Sequence, residues 1–163
     1  MFYCAASNQY LHEGQPFEVD GTQYPQNWLN LSTPEEKAAL GLQEVTDANA
    51  PEDDRFYWVS SELNGAVRTY TNNPKELAGL KTQWAASINA AAYSLLLPTD
   101  WMVTKALETQ TPIPVSWSAW RAAVRTTAAN AVTAINAATD VPSLQVAIVV
   151  NWPNDPNYVG ANA

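Results

Sequence analysis

The stretch from residue 98 to 125, PTDWMVTKALETQTPIPVSWSAWRAAVR, decides the fold because two helical patterns meet in it across a loop that holds two prolines. Thr99 and Asp100 are typical of a helix start. A Thr cap accepts a hydrogen bond from an exposed N–H group, and an acidic residue in the first turn offsets the positive charge of the helix end. The sequence therefore predicts a short helix from Thr99. Pro112 and Pro114 cannot continue that helix, because proline lacks an amide hydrogen and disfavours helix before it.

Each helical pattern carries an apolar face. Apolar residues recur at spacings of three and four after the loop, which predicts a narrow apolar seam on a second helix. The seam consists of Trp117, Trp120, Val124, Ala128, Ala131, Ile135 and Ala138. An earlier helix, predicted from Pro74 to about Leu96, has the same spacing and several alanines that allow close approach. The two long helices are expected to pack together. In the short helix, the predicted apolar face consists of Met102, Val103, Ala106 and Leu107.

The first 72 residues have the pattern of an antiparallel β module. Asp20-Gly21 and Asn64-Gly65 each separate two alternating runs, and residues of these types accept the positive φ of a hairpin turn. Strands are expected at 1–5, 8–12, 16–19, 22–24, 55–60 and 66–71. Residues 43–54 are expected to form an acidic loop.

One short helix is predicted inside this module. Thr33 can cap it, Pro34 suits its first position and Glu36 completes a capping box. Gly41 ends it after about two turns, because glycine accepts the left-handed conformation that follows many helices.

These patterns together predict an α+β protein. A small N-terminal antiparallel β module, with two hairpins and one short helix, occupies residues 1–72. A C-terminal antiparallel helical hairpin with a short connecting helix and an irregular tail occupies residues 73–163. After Ala138, a cap and a proline favour one more short helix and the β-branched residues favour a strand; we prefer the helix.

Charge is distributed unevenly. The chain has sixteen acidic and eight basic residues, and the whole net charge of −8 lies in residues 1–72. An acidic surface repels phosphates, so nucleic acid and membrane are not expected as partners, and a basic protein is favoured. The alternative is that the charge only keeps the chain soluble. The single Cys4 and the lack of a secretory pattern favour a reducing compartment, and no apolar run approaches the ~20 residues of a membrane span.

Motifs of enzyme chemistry are absent from the sequence. The only histidine, His12, and the only thiol, Cys4, lie in expected strands, and no metal, phosphate or dinucleotide motif is present. Glu52, Asp53 and Asp54 could serve a carboxylate-dependent glycan hydrolase, which is a remote alternative, because nothing selects a catalytic pair. We therefore predict no catalytic residue, no cofactor and no metal.

Aromatic and arginine residues are the candidate binding residues. Trp28, Trp58 and Trp152 lie in expected loops or strands and could anchor a protein interface, where Trp and Arg concentrate binding energy. Arg121 and Arg125 have two interpretations. They are either structural ion-pair partners of Asp100 and Glu108, which we favour, or contacts to a bound protein.

Two stretches resemble a known family. GTQYPQNWLNLSTPEEKAALGLQEV, residues 21–45, resembles the N-terminal region of many phage tail fibre assembly proteins, where a Tyr-Pro segment precedes a short Glu-rich helix that ends at Gly and leads into a strand. LLPTDWMVTKALETQTPIP, residues 96–114, with the following AWRAAVR, resembles the C-terminal region of phage tail assembly chaperones. An Asp-Trp pair, a loop with prolines and an Arg-x-x-x-Arg helix recur there.

The resemblance implies which residues carry the function. The Asp-Trp pair falls on Asp100 and Trp101, and the arginines fall on Arg121 and Arg125; Lys105 stands where the family often has an arginine. The implied protein is a non-enzymatic phage protein that binds a tail fibre or other tail or baseplate protein, in the bacterial host cytoplasm during assembly. The alternative is a stoichiometric virion component, a baseplate or fibre adaptor. Self-association is left open.

Overall fold

The computed structural model describes residues 1–157, and the chain divides into two compact units, residues 1–73 and 74–163. The predicted α+β class is confirmed, with antiparallel strands in the first unit and helices in the second. The irregular tail predicted from residue 151 agrees with the structure as far as residue 157, and the remainder of that prediction lies outside the described residues.

A small sheet and a hairpin form the first part of unit 1. The sheet contains β1 (Phe2–Cys4), β2 (Gln9–Leu11) and β5 (Leu42–Glu44) in the order β2-β1-β5, and both pairings are antiparallel. The hairpin contains β3 (Phe17–Val19) and β4 (Thr22–Tyr24). Its turn residues Asp20 and Gly21 have φ of 50° and 76°, the pair of positive angles that a type I′ turn requires. This turn was predicted correctly.

Two short helices follow the hairpin, and the first of them adds Leu29 to the core. They are α1 (Trp28–Leu31) and α2 (Pro34–Ala39), where the sequence predicted one helix. The predicted capping box is present, because the Thr33 side chain accepts from the Glu36 amide at 3.2 Å and the Glu36 carboxylate accepts from the Thr33 amide at 2.8 Å. The buried apolar residues are Phe2, Cys4, Leu11, Phe17, Val19, Leu29 and Leu42.

A second sheet forms the last part of unit 1. It contains β6 (Thr46–Asp47), β7 (Tyr57–Asn64) and β8 (Val67–Pro74) in the order β6-β8-β7, with β6 parallel to β8. The predicted hairpin exists, but its turn is Gly65-Ala66, one residue later than predicted. Gly65 has a φ of 57°, and Asn64 is extended, so glycine takes the first turn position as in a type II′ turn.

The expected acidic loop at 43–54 was wrong for part of its length. β5 and β6 lie in it, and the chain after β6 stays beside β8 through asparagine side chains. Asn49 accepts from the Tyr70 amide and donates to the Tyr70 carbonyl oxygen, both at 2.8 Å. Asn72 likewise donates to the Ala50 carbonyl oxygen at 3.1 Å and accepts from the Glu52 amide at 3.1 Å. These asparagine side chains form the hydrogen bonds that backbone groups form in a β-ladder. The polar composition of the segment does not reveal such pairing.

Unit 2 is built on an antiparallel pair of long helices. Its helices are α3 (Leu77–Leu96), α4 (Trp101–Thr109), α5 (Val115–Ala137) and α6 (Val141–Ala147). α3 packs on the predicted seam of α5, with Leu80, Ile88 and Ala92 buried opposite Trp120, Val124, Ala128, Ala131 and Ile135. Lys81 near the start of α3 donates to the Asn136 carbonyl oxygen near the end of α5 at 2.9 Å, as the antiparallel direction allows.

The helix ends differ from the sequence expectations. α3 begins at Leu77, because Pro74 ends β8 and the Glu76 carboxylate caps the helix by accepting from the amides of Ala78 and Gly79. The preferred helix after Ala138 is confirmed as α6, which Asp140 caps. No helix within residues 1–157 has the length and apolar character that crossing a bilayer requires.

We expect these two caps to make stability depend on pH. Hydrogen bonds from Gly79 and Ala78 lower the pKa of Glu76 below its usual 4.5, and the hydroxyl and amide of Ser143 lower the pKa of Asp140 below its usual 3.8. A carboxyl whose pKa is lower in the folded state stabilises the fold above its unfolded pKa, and this contribution disappears as pH falls through the folded value.

Urea midpoints at about pH 7 and about pH 3 measure this effect. The Glu76→Gln, Asp140→Asn double variant should lose less stability than the unmodified chain between the two conditions. Glu108→Gln, which changes an exposed carboxylate of α4, is the matched control. An unchanged pH dependence in the double variant would contradict the assignment.

Candidate functional site

Arg121 is a buried charged residue of unit 2. Its side chain is only 5% exposed, and its guanidinium donates to three oxygens. Nη1 donates to the Leu96 carbonyl oxygen at 3.0 Å and to the Thr99 hydroxyl, and Nη2 donates to Asp100 Oδ1 at 2.6 Å. The second turn of α5 is thereby joined to the end of α3 and the start of α4.

Thr99 has a role different from the predicted one. A 3₁₀ turn occupies Leu97–Thr99, and α4 begins after it at Trp101. Thr99 is buried, and its hydroxyl donates to the Leu96 carbonyl oxygen at 2.7 Å rather than capping α4. The predicted helix start at Thr99 is therefore wrong: this side chain belongs to the hydrogen-bond network around Arg121.

Trp101 and Lys105, which the family resemblance singles out, lie one turn apart on α4 and are exposed at the surface. Trp101 is 56% exposed, and the Lys105 Nζ lies 5.7 Å from the centre of the Trp101 ring, within the range of a cation–π contact. The carboxylate of Asp100 is bound on one side by Arg121 and remains about half exposed on the other. Ion pairing therefore holds the residue immediately before the exposed tryptophan.

A groove lies between α4 and the loop of two prolines, and we call it the Trp101 groove. Its volume is about 200 Å³. One wall comes from α4, the other from the loop, and Trp117 at the start of α5 completes it. The lining residues are Trp101, Met102, Lys105, Ala106, Thr111, Pro112, Ile113, Pro114 and Trp117. Since proline fixes φ, the loop wall is stiff before any partner binds.

The predicted apolar face of α4 is only half covered. Met102 and Ala106 are partly buried, but Val103 is 38% and Leu107 79% exposed, and α4 has no fully buried residue. The helical period places Val103 and Leu107 on the flank away from Trp101. Periodicity alone shows which residues share a face, and it does not show whether another element covers that face.

The second arginine is not an ion-pair residue. Arg125 is exposed, and it forms no salt bridge with any residue in the described part of the chain. Glu108, its expected partner, is exposed as well. The favoured interpretation is therefore wrong for Arg125, because four residues of helix carry it about 6 Å away from Asp100, back alongside α3.

The other candidate tryptophans occupy three different environments. Trp28 contacts Phe17 at 5.8 Å and Tyr24 at 5.0 Å between ring centres, and it packs against the core of unit 1, so its predicted interface role is not supported. Trp58 on β7 is 68% exposed, and Trp152 is partly buried.

A wider cavity of about 680 Å³ shares Trp117 with the groove. Trp117 meets Trp120 edge to face at 5.6 Å between ring centres. The Trp120 indole N–H donates to the Pro153 carbonyl oxygen at 3.0 Å, which ties the chain after α6 to α5. The remaining lining residues are Ser94, Leu95, Pro98, Thr99, Asp155 and Asn157. This surface is open, and among the residues that the structure describes Asp155 is the only charged one that lines it.

The carboxylates considered for a hydrolase are arranged around a turn. Asp53 is bound by the Arg55 guanidinium at 2.6–3.0 Å, and its Oδ1 also accepts from the Arg55 amide at 2.9 Å. The amide of Glu52 is bound to Asn72. Within residues 1–157, no three His, Cys, Asp or Glu side chains come together as metal ligands would.

Comparisons with protein-family models, curated proteins and solved structures find no match for this chain.

Replacement of Arg121 should destabilise unit 2. In Arg121→Ala the Leu96 carbonyl and the Thr99 hydroxyl lose a buried donor, and we expect a loss of about 2 to 3 kcal/mol in the free energy of unfolding. Arg125→Ala, one turn away on the same helix, should change it by less than about 0.5 kcal/mol. Urea denaturation monitored by circular dichroism measures both. Equal effects of the two substitutions would contradict a structural role specific to Arg121.

Proposed function

We propose that this chain is a non-enzymatic protein of a bacteriophage tail, which binds a tail-fibre or other tail component during assembly in the host cytoplasm. The proposal rests on the sequence resemblance at residues 21–45 and 96–125. The observation that supports it best is the Trp101 groove, because it combines an exposed tryptophan, a cation and stiff proline walls.

The size of the groove favours a protein partner over a small molecule. Pockets that enclose small-molecule ligands have volumes of about 300–1,000 Å³. The groove has about 200 Å³, and a single inserted side chain of a partner suits this volume better. Interface energy concentrates on tryptophan and arginine residues near such pockets. Trp101 is such a residue, because it is exposed and lines the groove.

Rigidity of the groove also supports binding. Arg121 holds the start of α4 through Leu96, Thr99 and Asp100, so the Trp101 side chain projects from an ordered helix start. A surface that is ordered before association loses less conformational entropy when it binds. The ion pair thus acts by positioning the tryptophan, and it need not contact the partner.

Binding to co-expressed tail proteins tests the proposal. The chain should co-purify with a fibre or baseplate protein of the same phage, and Trp101→Ala should weaken the complex by about 30-fold or more, as for a central interface tryptophan. Leu107→Ala on the opposite flank of α4 is the matched control, because Leu107 is even more exposed at 79%. It should leave the affinity nearly unchanged.

Two results would contradict this. If no fibre or baseplate protein binds the chain, the proposed function fails. If Leu107→Ala weakens the complex and Trp101→Ala does not, the contact lies on the other flank of α4.

Quantitative mass spectrometry of gradient-purified virions distinguishes transient from permanent association. A chaperone-like protein leaves before the particle is complete, so we expect its peptides to be absent while those of the major tail protein are abundant. A fixed ratio to the major tail protein would instead make the chain a baseplate or fibre adaptor.

A further inference from the structure

We propose that β7 is a strand-addition site, where an extended segment of a basic protein pairs with the open edge of the second sheet. β7 is the outer strand in the order β6-β8-β7 and is eight residues long. None of its residues belongs to the Trp101 groove, so this inference and the proposed function can fail separately.

The hydrogen bonds of β8 show which way each strand residue points. The Arg68 carbonyl oxygen accepts from the Ala48 amide at 2.8 Å, and both backbone groups of Tyr70 bond to Asn49. Even-numbered residues of β8 therefore face β6, and its odd-numbered residues face β7. Across the two-residue turn, Asn64 pairs with Val67, as the residues flanking such a turn do.

Alternation along β7 then assigns its outer edge. Even-numbered residues of β7 face β8, so the amides and carbonyls of Val59, Ser61 and Leu63 face outward. The Tyr57 amide also points away from β8, and it donates to the Asp53 carbonyl oxygen at 3.0 Å. The outward row available for pairing thus begins at Val59, and both Ser61 and Leu63 are exposed.

The central strand β8 is covered on the side away from β7. β6 pairs with its first part, and the hydrogen bonds of the Asn49 and Asn72 side chains continue the pairing beyond β6. β7, with the sequence YWVSSELN, contains no proline and no lysine, the residues that commonly protect an exposed edge. An open row of alternating N–H and C=O groups is complementary to another extended chain.

The negative charge of unit 1 favours a basic segment as the pairing strand. Residues 1–72 have a net charge of −8. Glu52 and Asp54 precede β7 and Glu62 lies within it, while Asp53 is paired with Arg55. A second copy of the chain would bring the same charge to the edge and would be repelled. A lysine- or arginine-rich segment gains attraction, and its charged side chains can project at every second residue.

A defined peptide tests the inference on the full-length chain. The probe is Lys-Val-Lys-Thr-Lys-Val-Lys-Thr with blocked ends, titrated into ¹⁵N-labelled protein. We expect the amides of Val59, Ser61 and Leu63 to shift and to exchange with solvent about tenfold more slowly when bound. The amides of Ser60 and Glu62, which face β8, should change least.

Two altered peptides separate backbone pairing from charge. A version N-methylated at alternate residues lacks the pairing N–H groups and should not bind. A version with glutamate in place of lysine should bind about tenfold more weakly or not at all, and added salt should weaken the original peptide. Equal binding by the N-methylated peptide, or amide shifts confined to the Trp101 groove, would overturn the inference.

The matched protein variants are Ser61→Pro and Ser61→Ala. Proline removes one outward amide, and edge strands tolerate it there, so Ser61→Pro should lose peptide binding with an unchanged fold. Ser61→Ala keeps the amide and should bind normally. If Ser61→Pro does not fold, the N-methylated peptide still tests the same hydrogen bonds. Concentration-dependent protection of Val59, Ser61 and Leu63 without peptide would assign the edge to a second copy and overturn the basic partner.

Discussion

The guanidinium of Arg121 is the interaction on which the architecture of unit 2 depends. The carbonyl of Leu96 is one of the last of α3 and lacks an amide partner within the helix, and Arg121 supplies a donor. The same group binds Thr99 and Asp100, which lie on either side of the 3₁₀ turn's end. Apolar packing along the seam brings α3 and α5 together, but it does not determine the path of the chain between them. The arginine decides where the chain between them turns, and with it the direction of α4 and the orientation of the Trp101 groove.

Features that depend on residues near one another in sequence could be predicted. The Asp20-Gly21 turn follows from the positive φ that both residues tolerate, and the capping box of Thr33 and Glu36 follows from their spacing of three. The pairing of the long helices was equally accessible, because a seam of period 3.6 that contains small residues requires a partner helix. The second hairpin was found as well, with its turn displaced by one residue.

Features that depend on contacts between residues far apart in the sequence could not be predicted from it. The Asn49 side chain completes a ladder with Tyr70, which is 21 residues away, and an isolated asparagine in an acidic stretch is also the ordinary composition of a loop. Arg121 and Arg125 look equivalent one turn apart, yet only the first reaches the end of α3. Trp28 and Trp101 show the same limit, since apolar spacing does not distinguish a tryptophan covered by Phe17 and Tyr24 from one left at the surface.

The two units present surfaces with different physical chemistry. Unit 1 combines its negative charge with an open row of backbone groups on β7, where affinity comes from hydrogen bonds and from charges that salt screens. Unit 2 carries as many basic as acidic residues, and its groove relies on apolar and aromatic contact, which salt does not screen. Within unit 2, the tryptophan of the groove stands next to the ion pair of Asp100 and Arg121. A change in that pair therefore alters the binding surface together with the packing of the helices.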